Sequence, residues 1–341
     1  MTFNVSIEGT AHQFPIDSGE SVLQAALKAG IVIPYACRDG ACGSCKGKLV
    51  SGRIDYGKYA SKALEDTEKE QGYALFCQAK ALSDLVIAPR EVRLGSDIQP
   101  RKLPTRVQSI KRVAPDVIIL ELQIPAGQKL DFYAGQYLDV MLRDGTRRSF
   151  SMGNAPQSEG TVQLHVRLVA GGTFTAHVFN AMKEKEILRI EAPLGTFFLR
   201  EESDKPIVFV ASGTGFAPIK AIIEATLHKG IQRPMTLYWG GRRPQDLYMN
   251  ELAAGWAAAH PHIKYIPVIS DALPEDNWTG RTGFVHRAVM ADFPDLSVHQ
   301  VYACGVPIMV DSARKDFLAQ CQLPDAEFYA DSFTTAADLA R

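Results

Sequence analysis

The sequence predicts an α+β multidomain chain with three parts in order: a small mixed α+β unit, an antiparallel β-barrel and an α/β doubly wound unit. Three observations predict it. The first quarter holds a hairpin pattern, a short helix and a Cys-Gly loop. The middle carries short β-favouring runs between Gly, Asp and Pro turns. The last part alternates continuous apolar runs with helix-like stretches, the mark of a parallel sheet buried on both faces. At roughly 100–200 residues per domain, 341 residues suit two or three cores.

In the first part, Phe3, Val5 and Ile7 alternate, as do His12, Phe14 and Ile16, which reads as two half-buried strands. Ser21–Ala29 follows as an amphipathic helix, with Ser18 or Ser21 as its N-cap and Gly30 as its stop. In the middle, strands are expected at Val117–Leu122, Tyr137–Leu142, Ser149–Met152 and Val162–Leu168. In the last part they are expected at Ile207–Ala211, Met235–Trp239, Ile263–Ile269 and Val301–Ala303. Junctions rich in turn formers and charge fall at Gly95–Pro104 and Glu201–Pro206, giving expected domains 1–94, 103–202 and 205–335.

Hydrophobic residues make up 46% and charged residues 22%, a globular composition. A net charge of −1 gives no general attraction to nucleic acid or anionic membrane. No apolar run reaches about 18 residues, and Met1–Gly9 lacks a secretory pattern. Four of the six cysteines crowd the first quarter, which favours a metal site in a reducing cytoplasm over disulfides.

Cys37-x4-Cys42-x2-Cys45, with Cys77 after 31 more residues, has the spacing of plant-type two-iron ferredoxins. Two irons bridged by sulfide need four thiolates around one compact core. A tight loop supplies three and the returning chain the fourth. Gly40 and Gly43 let backbone amides approach the sulfurs. The alternatives are structural zinc, which usually pairs two Cys-x2-Cys knuckles where this chain has one, and free buried thiols.

Arg148-Ser149-Phe150-Ser151 carries an Arg able to pair with a pyrophosphate and a Ser hydroxyl within reach of a ring. His165-Val-Arg167 and Gly171-Gly172-Thr173-Phe-Thr175 follow, the latter opening a helix whose amides suit phosphate. Ile207–Ala211 runs into Ser212-Gly213-Thr214-Gly215-Phe-Ala-Pro218, a strand, a Gly-rich turn and a helix with Pro in its first turn. This is not the Gly-x-Gly-x-x-Gly dinucleotide fingerprint, and the next strand ends Gly240-Gly-Arg242-Arg243 without a ribose-binding acid. Cys304-Gly305 sits at the carboxyl end of a later strand, where ligands bind in doubly wound sheets.

The segment Pro34–Lys46 resembles a plant-type ferredoxin domain of β-grasp fold, with Cys37, Cys42, Cys45 and Cys77 as the [2Fe–2S] ligands. The later strings, in this order, resemble the ferredoxin–NAD(P)+ reductase superfamily across essentially the whole chain. That resemblance implies FAD, favoured over FMN, and a nicotinamide dinucleotide. Arg148 would meet the flavin pyrophosphate, Phe150 would pack on the flavin and Ser151 would lie near its reactive nitrogen. Gly172–Thr175 would contact phosphate, with His165, Arg167 and Ser149 beside them. Gly213, Thr214, Gly215, Pro218, Gly240, Arg242 and Gly305 would line the dinucleotide site. Cys304 would stand beside the nicotinamide and, with Ser151, form the catalytic pair. Several relatives have Tyr where this chain has Phe150, and relatives place a ring over the flavin near the C-terminus, for which Phe328 and Phe333 are the candidates.

Among superfamily members the strings are most similar to CDP-6-deoxy-Δ3,4-glucoseen reductases, and oxygenase reductase components share the architecture. The implied activity is electron transfer from NAD(P)H, with NADH favoured, through FAD and the cluster to a protein acceptor, an iron–sulfur dehydrase or an oxygenase component. A non-catalytic redox sensor is the remaining alternative. Arg242 or Arg243 either grips a 2′-phosphate or is solvated. Cys321 reads as structural, and His177, His260 and His286 show no ligand spacing.

Overall fold

The structure, a computed structural model, describes residues 1–95, 98–158 and 160–334. Ser96 and Asp97 of the first expected junction and the last residue of the expected third domain lie outside the described residues. The chain divides into two compact units, Met1–Gln99 with Ser332–Arg341, and Pro100–Asp331.

In the first unit, β1 (Thr2–Ile7) and β2 (Gln13–Asp17) form the expected antiparallel hairpin, pairing Phe3 with Ile16 and Val5 with Phe14. Helix α1 (Val22–Lys28) begins at Ser21 with a capping box. Ser21 Oγ accepts from the Gln24 N–H at 3.3 Å, and the Ser21 N–H donates to Gln24 Oε1 at 3.1 Å. The sheet continues with β3 (Lys46–Ser51), β4 (Tyr73–Leu75) and β5 (Leu85–Pro89) in the order β2-β1-β5-β3-β4. Because β1 and β5 run parallel and the other pairs antiparallel, the sheet is mixed. Its inward residues Val5, Phe14, Ile16 and Ile87 pack with Val22, Leu23 and Ala26 of α1, which makes the β-grasp core.

The second unit opens with β6 (Arg101–Ala114), then β7 (Val117–Gln123), β8 (Tyr137–Met141), β9 (Arg147–Ser151), β10 (Thr161–Arg167), α2 (Thr173–Asn180) and β11 (Ile187–Leu194). Their order is β9-β8-β11-β6-β7-β10, and a bridge between Met152 and Leu164 joins the two ends into a barrel. Two of these strands fall outside the expected runs. The start of β6 lies in the expected junction, although Leu103, Thr105 and Val107 alternate inward. Pro104 is tolerated because β6 pairs there only with β11, and its ladder with β7 starts at Arg106.

The last part contains β12 (Ile207–Ser212), α3 (Phe216–His228), β13 (Met235–Gly241), α4 (Asn250–Ala259), β14 (Ile263–Ile269), β15 (Arg281–Thr282), α5 (Val285–Asp292), β16 (Gln300–Gly305), α6 (Pro307–Gln320) and β17 (Phe328–Ser332). Sheet order is β15-β14-β13-β12-β16-β17, with β12 parallel to both β13 and β16. All four expected strands are present. Leu237, Val208 and Val301 are wholly buried, as strands covered by helices on both faces must be. Phe328 is 1% exposed within this core, so it is taken up by packing and Phe333, half-buried, is the freer of the two C-terminal aromatics.

Barrel and sheet are joined by polar contacts within the second unit. Lys220 Nζ donates to the Gly153 carbonyl at 2.9 Å, and the Arg200 N–H donates to the Tyr302 hydroxyl at 2.9 Å. His165 Nδ1 lies 2.8 Å from the Tyr248 hydroxyl.

Candidate functional site

Strand register brings the cysteines together. Cys45 immediately precedes β3 and Cys77 lies two residues past β4. Lys46 pairs with Leu75, so both cysteines leave the same end of the ladder, where the Phe76 N–H donates to the Cys45 carbonyl at 3.1 Å. The loop bearing Cys37 and Cys42 turns through Arg38 and Gly40, both at positive φ. At Gly40 the backbone presses on its neighbours, since a Cβ would stand 2.8 Å from the Lys58 carbonyl oxygen. Gln78 Nε2 donates to the Arg38 carbonyl at 3.0 Å and ties the loop to the Cys77 segment.

The thiols stand as two pairs. Cys37 hydrogen-bonds with Cys42, and Cys45 with Cys77. The Cys42 thiol, joined by the N–H groups of Asp39, Ala41 and Cys42, brings Cys37 down to about 6 against its burial. The same pairing and burial push Cys42 and Cys45 up. Among the described residues no three His, Cys, Asp or Glu side chains are grouped as one metal ion requires. Two thiolates on each of two positions, with amides turned toward sulfur, is the donor set of a two-iron cluster.

Strand β9 separates its side chains by parity. Arg147 is ion-paired with Glu191, Ser149 Oγ donates to Asp139 at 2.6 Å, and Ser151 Oγ donates to Asp331 at 3.3 Å. Arg148 and Phe150 take the opposite face. Arg148 is exposed, and its Nη1 donates to the Arg147 carbonyl at 2.8 Å. Phe150 tilts against Phe174 of α2 at a centroid distance of 5.5 Å. This brings Phe150 beside the start of α2, whose N-cap Gly172 makes no side-chain capping bond. The first amides of α2 therefore suit a phosphate, with the aromatic face of Phe150 beside them and the exposed Arg148 on the same face of β9. Thr175 Oγ1 accepts from the Val169 N–H at 3.2 Å and latches the Gly171–Gly172 turn next to Thr173.

His165 is buried with both ring nitrogens engaged, Nδ1 with Tyr248 and Nε2 with Gln163 Oε1 at 2.9 Å. Burial, helped by the Lys220 charge, drives it down to about 3, so the ring is neutral. The Arg167 guanidinium lies against Gly213, where a Cβ would stand 2.8 Å from its Nη1, and its Nε is 3.2 Å from Asp116.

At the dinucleotide turn two backbones nearly touch. A Cβ on Gly215 would overlap the Cys304 carbonyl, and one on Gly305 would overlap the Ser212 side chain, so only glycine closes the carboxyl ends of β12 and β16 together. Ser212 Oγ accepts from the Val306 N–H at 3.1 Å. Phe216 stacks on Trp239 at 3.8 Å, and Trp239 Nε1 donates to the Gly213 carbonyl at 3.0 Å, which fixes the Gly213–Thr214 turn before Pro218. Gly240, at the end of β13, abuts Val285.

Cys304 is fully buried, and burial followed by the Asp331 charge raises its thiol well above the ordinary range. Asp331, 7% exposed, thus accepts from Ser151 and bears on the Cys304 thiol through its charge. Residue-by-residue reading passed over Asp331, although it occupies the polar position of the terminal Phe-Tyr-Ala-Asp-Ser-Phe string. Arg242 is exposed, and Arg243 is bound to Asp276.

Three family models match: a 2Fe-2S iron-sulfur cluster binding domain at residues 5–82, an oxidoreductase FAD-binding domain at 104–199 and an oxidoreductase NAD-binding domain at 209–315. The chain is 43% identical to a CDP-6-deoxy-L-threo-D-glycero-4-hexulose-3-dehydrase reductase of Yersinia pseudotuberculosis, over 98% of this chain and 99% of that one. It is 37% identical to a terephthalate 1,2-dioxygenase reductase component of Comamonas, over 98% of each. A solved cytochrome P450 reductase of Amycolatopsis superposes with a TM-score of 0.80 at 31% identity, covering 98% of this chain and 99% of that one.

Proposed function

This chain belongs to the iron–sulfur flavoprotein reductases that join ferredoxin, FAD-binding and NAD-binding modules, and from that premise we propose that it serves a sugar-dehydrase-type protein acceptor. It is an oxidoreductase whose cofactors are a [2Fe–2S] cluster, FAD and NAD(P)H. The chemistry these groups supply when bound is the division of a two-electron hydride from NAD(P)H into single electrons, passed by way of FAD and then the cluster to a protein. The proposed division of labour is 1–94 for the cluster, 103–202 for FAD and 205–335 for the nucleotide.

The observation that carries the reading is the two-and-two pairing of Cys37 with Cys42 and of Cys45 with Cys77, the proposed cluster ligands. For FAD, Arg148 and the first amides of α2 from Thr173 onward take the pyrophosphate, with the Gly172 N–H closing the turn onto the Val169 carbonyl at 3.0 Å; Phe150 backs the ring, and Ser149 and Thr175 hold the two segments in shape. His165 keeps the barrel wall against Tyr248, and Arg167 places a positive charge over Gly213. Gly213, Thr214, Gly215 and Gly305 let a dinucleotide approach backbone, with Pro218, Gly240 and Arg242 at the edges. Ser151 holds its proton toward Asp331. Cys304 remains a thiol, which suits it to shaping the nicotinamide contact rather than to nucleophilic attack.

The acceptor assignment rests on the 43% identity to a dehydrase reductase. An oxygenase component is the second reading, favoured by the identity to an oxygenase reductase. Among the described residues no helix is long and apolar enough to cross a membrane. The cytoplasmic setting we propose rests on the cysteine usage, six free thiols of which four are the proposed cluster ligands. Cys42→Ser tests the electron path. NADH-dependent ferricyanide reduction should persist while reduction of a one-electron protein such as cytochrome c is lost. Undiminished protein reduction in a variant lacking the cluster would overturn the path.

A further inference from the structure

Two loops meet at the carboxyl edge of the nucleotide sheet. Gly241 of β13 pairs with Ile269 of β14, so Arg242–Arg243 and residues 270–276 leave the sheet side by side. In doubly wound sheets this end of the second strand meets the adenosine ribose. A carboxylate there accepts from a 2′-hydroxyl, and an arginine there receives a 2′-phosphate.

Here the arginine is already engaged. Arg243 Nε and Nη2 donate to the two oxygens of Asp276, each at 2.8 Å, a bidentate fork. Asp276 also accepts from the Leu273 N–H at 2.9 Å, which fixes its carboxylate in place. Glu275 lies 3.8 Å from Arg243, and Asp271 lies 3.8 Å from Arg242. Asp246 accepts from the backbone N–H groups of Arg242 and Arg243 at 2.8 and 3.0 Å. Three carboxylates therefore face the two guanidiniums while Asp246 holds their backbone, and with four acids to two arginines the patch is net negative.

A 2′-phosphate brings roughly −1.5 to −2 charges. To take the Nε–Nη2 edge of Arg243 it must displace Asp276 and leave that carboxylate without its partner, beside three others, and at the Nη1 end it still meets their combined negative charge. A 2′-hydroxyl faces no such penalty and has carboxylate oxygens to donate to. We propose that Asp276 is a coenzyme-selecting residue. By holding the Nε–Nη2 edge of Arg243 and adding its charge to that of three neighbouring acids, it disfavours a 2′-phosphate and commits the enzyme to NADH. The inference rests on the reductase reading above and assigns the selectivity of that same site.

Two measurements on the purified holoenzyme test it. The first compares kcat/KM for NADH and NADPH, with ferricyanide as acceptor, and the affinities of 5′-ADP and 2′,5′-ADP by calorimetry. The wild type should favour NADH and 5′-ADP by about 10-fold or more. Asp276→Asn keeps an oxygen for the Leu273 N–H but removes the charge. It should raise kcat/KM for NADPH and affinity for 2′,5′-ADP by about 10-fold while NADH changes by less than about threefold. The second needs no variant. Raising salt from about 0.01 to 0.15 M shortens the screening length from about 30 to about 8 Å, so repulsion predicts an increased NADPH/NADH ratio. A free arginine gripping the phosphate predicts a decrease. Equal use of both coenzymes, a ratio unmoved in folded Asp276→Asn, or a ratio falling with salt would overturn the proposal and leave the reductase intact. Turnover with neither coenzyme would overturn both.

Discussion

Acidification should weaken the joint between barrel and nucleotide sheet through a single ring. His165 sits at about 3 in the fold, against 6.5 for a free histidine, because burial and the Lys220 charge oppose its protonation. A folded value below the unfolded one means that the unfolded chain binds the extra proton first. The stabilisation is therefore complete above about pH 6.5 and is lost as pH falls toward 3. At 1.36 kcal/mol per pKa unit, the interval from pH 6.5 to 4 is worth about 3 kcal/mol, a large share of an ordinary domain's stability. The geometry agrees. With Gln163 Oε1 accepting at Nε2, Nδ1 receives the Tyr248 hydroxyl proton, and a second ring proton would confront that hydroxyl. The assay is thermal or urea unfolding of wild type and His165→Gln between pH 7.5 and 5. Other groups titrate in both proteins, so their difference isolates this site. The wild type should lose about 1.4 kcal/mol more per pH unit below 6.5 than the variant. Parallel curves would refute the argument.

Two further substitutions probe the site. Gly215→Ala would force a Cβ onto the Cys304 backbone, costing about 1–3 kcal/mol and raising KM for NADH. Gly255→Ala, in an open stretch of α4, should stabilise by up to about 1 kcal/mol, and equal melting temperatures for the two variants would contradict the close-approach account. Asp331→Asn removes the charged acceptor of Ser151. NADH-dependent ferricyanide turnover should fall about 10-fold with FAD content unchanged, and full turnover would remove Asp331 from the site.

Periodic segments made much of the architecture legible. The hairpin at Phe3–Ile16 alternates cleanly, and the runs at 207, 235 and 301 are buried on both faces, so pattern and burial coincide, while the run at 263, nearer the sheet edge, leaves Lys264 exposed. The β6 start was hidden because Pro104 and flanking charges look like a linker, and only the absence of a second neighbour there makes them compatible with a strand. The cysteine spacing announced a cluster, but the pairing of thiols depends on the β3–β4 register, which spacing alone does not state. Likewise Arg243 looked equally suited to phosphate or solvent. Its partner Asp276 is 33 residues away and becomes its neighbour only because β13 and β14 run parallel.

The central claim is that this one chain holds a two-iron cluster and a flavin together. Its most direct test is the visible spectrum of the purified protein, prepared without oxygen, with iron, sulfide and flavin counted per chain. The account predicts about two irons, two sulfides and one FAD, with a spectrum bleached on adding NADH. A folded, colourless protein, or one carrying a single zinc and no flavin, would contradict it.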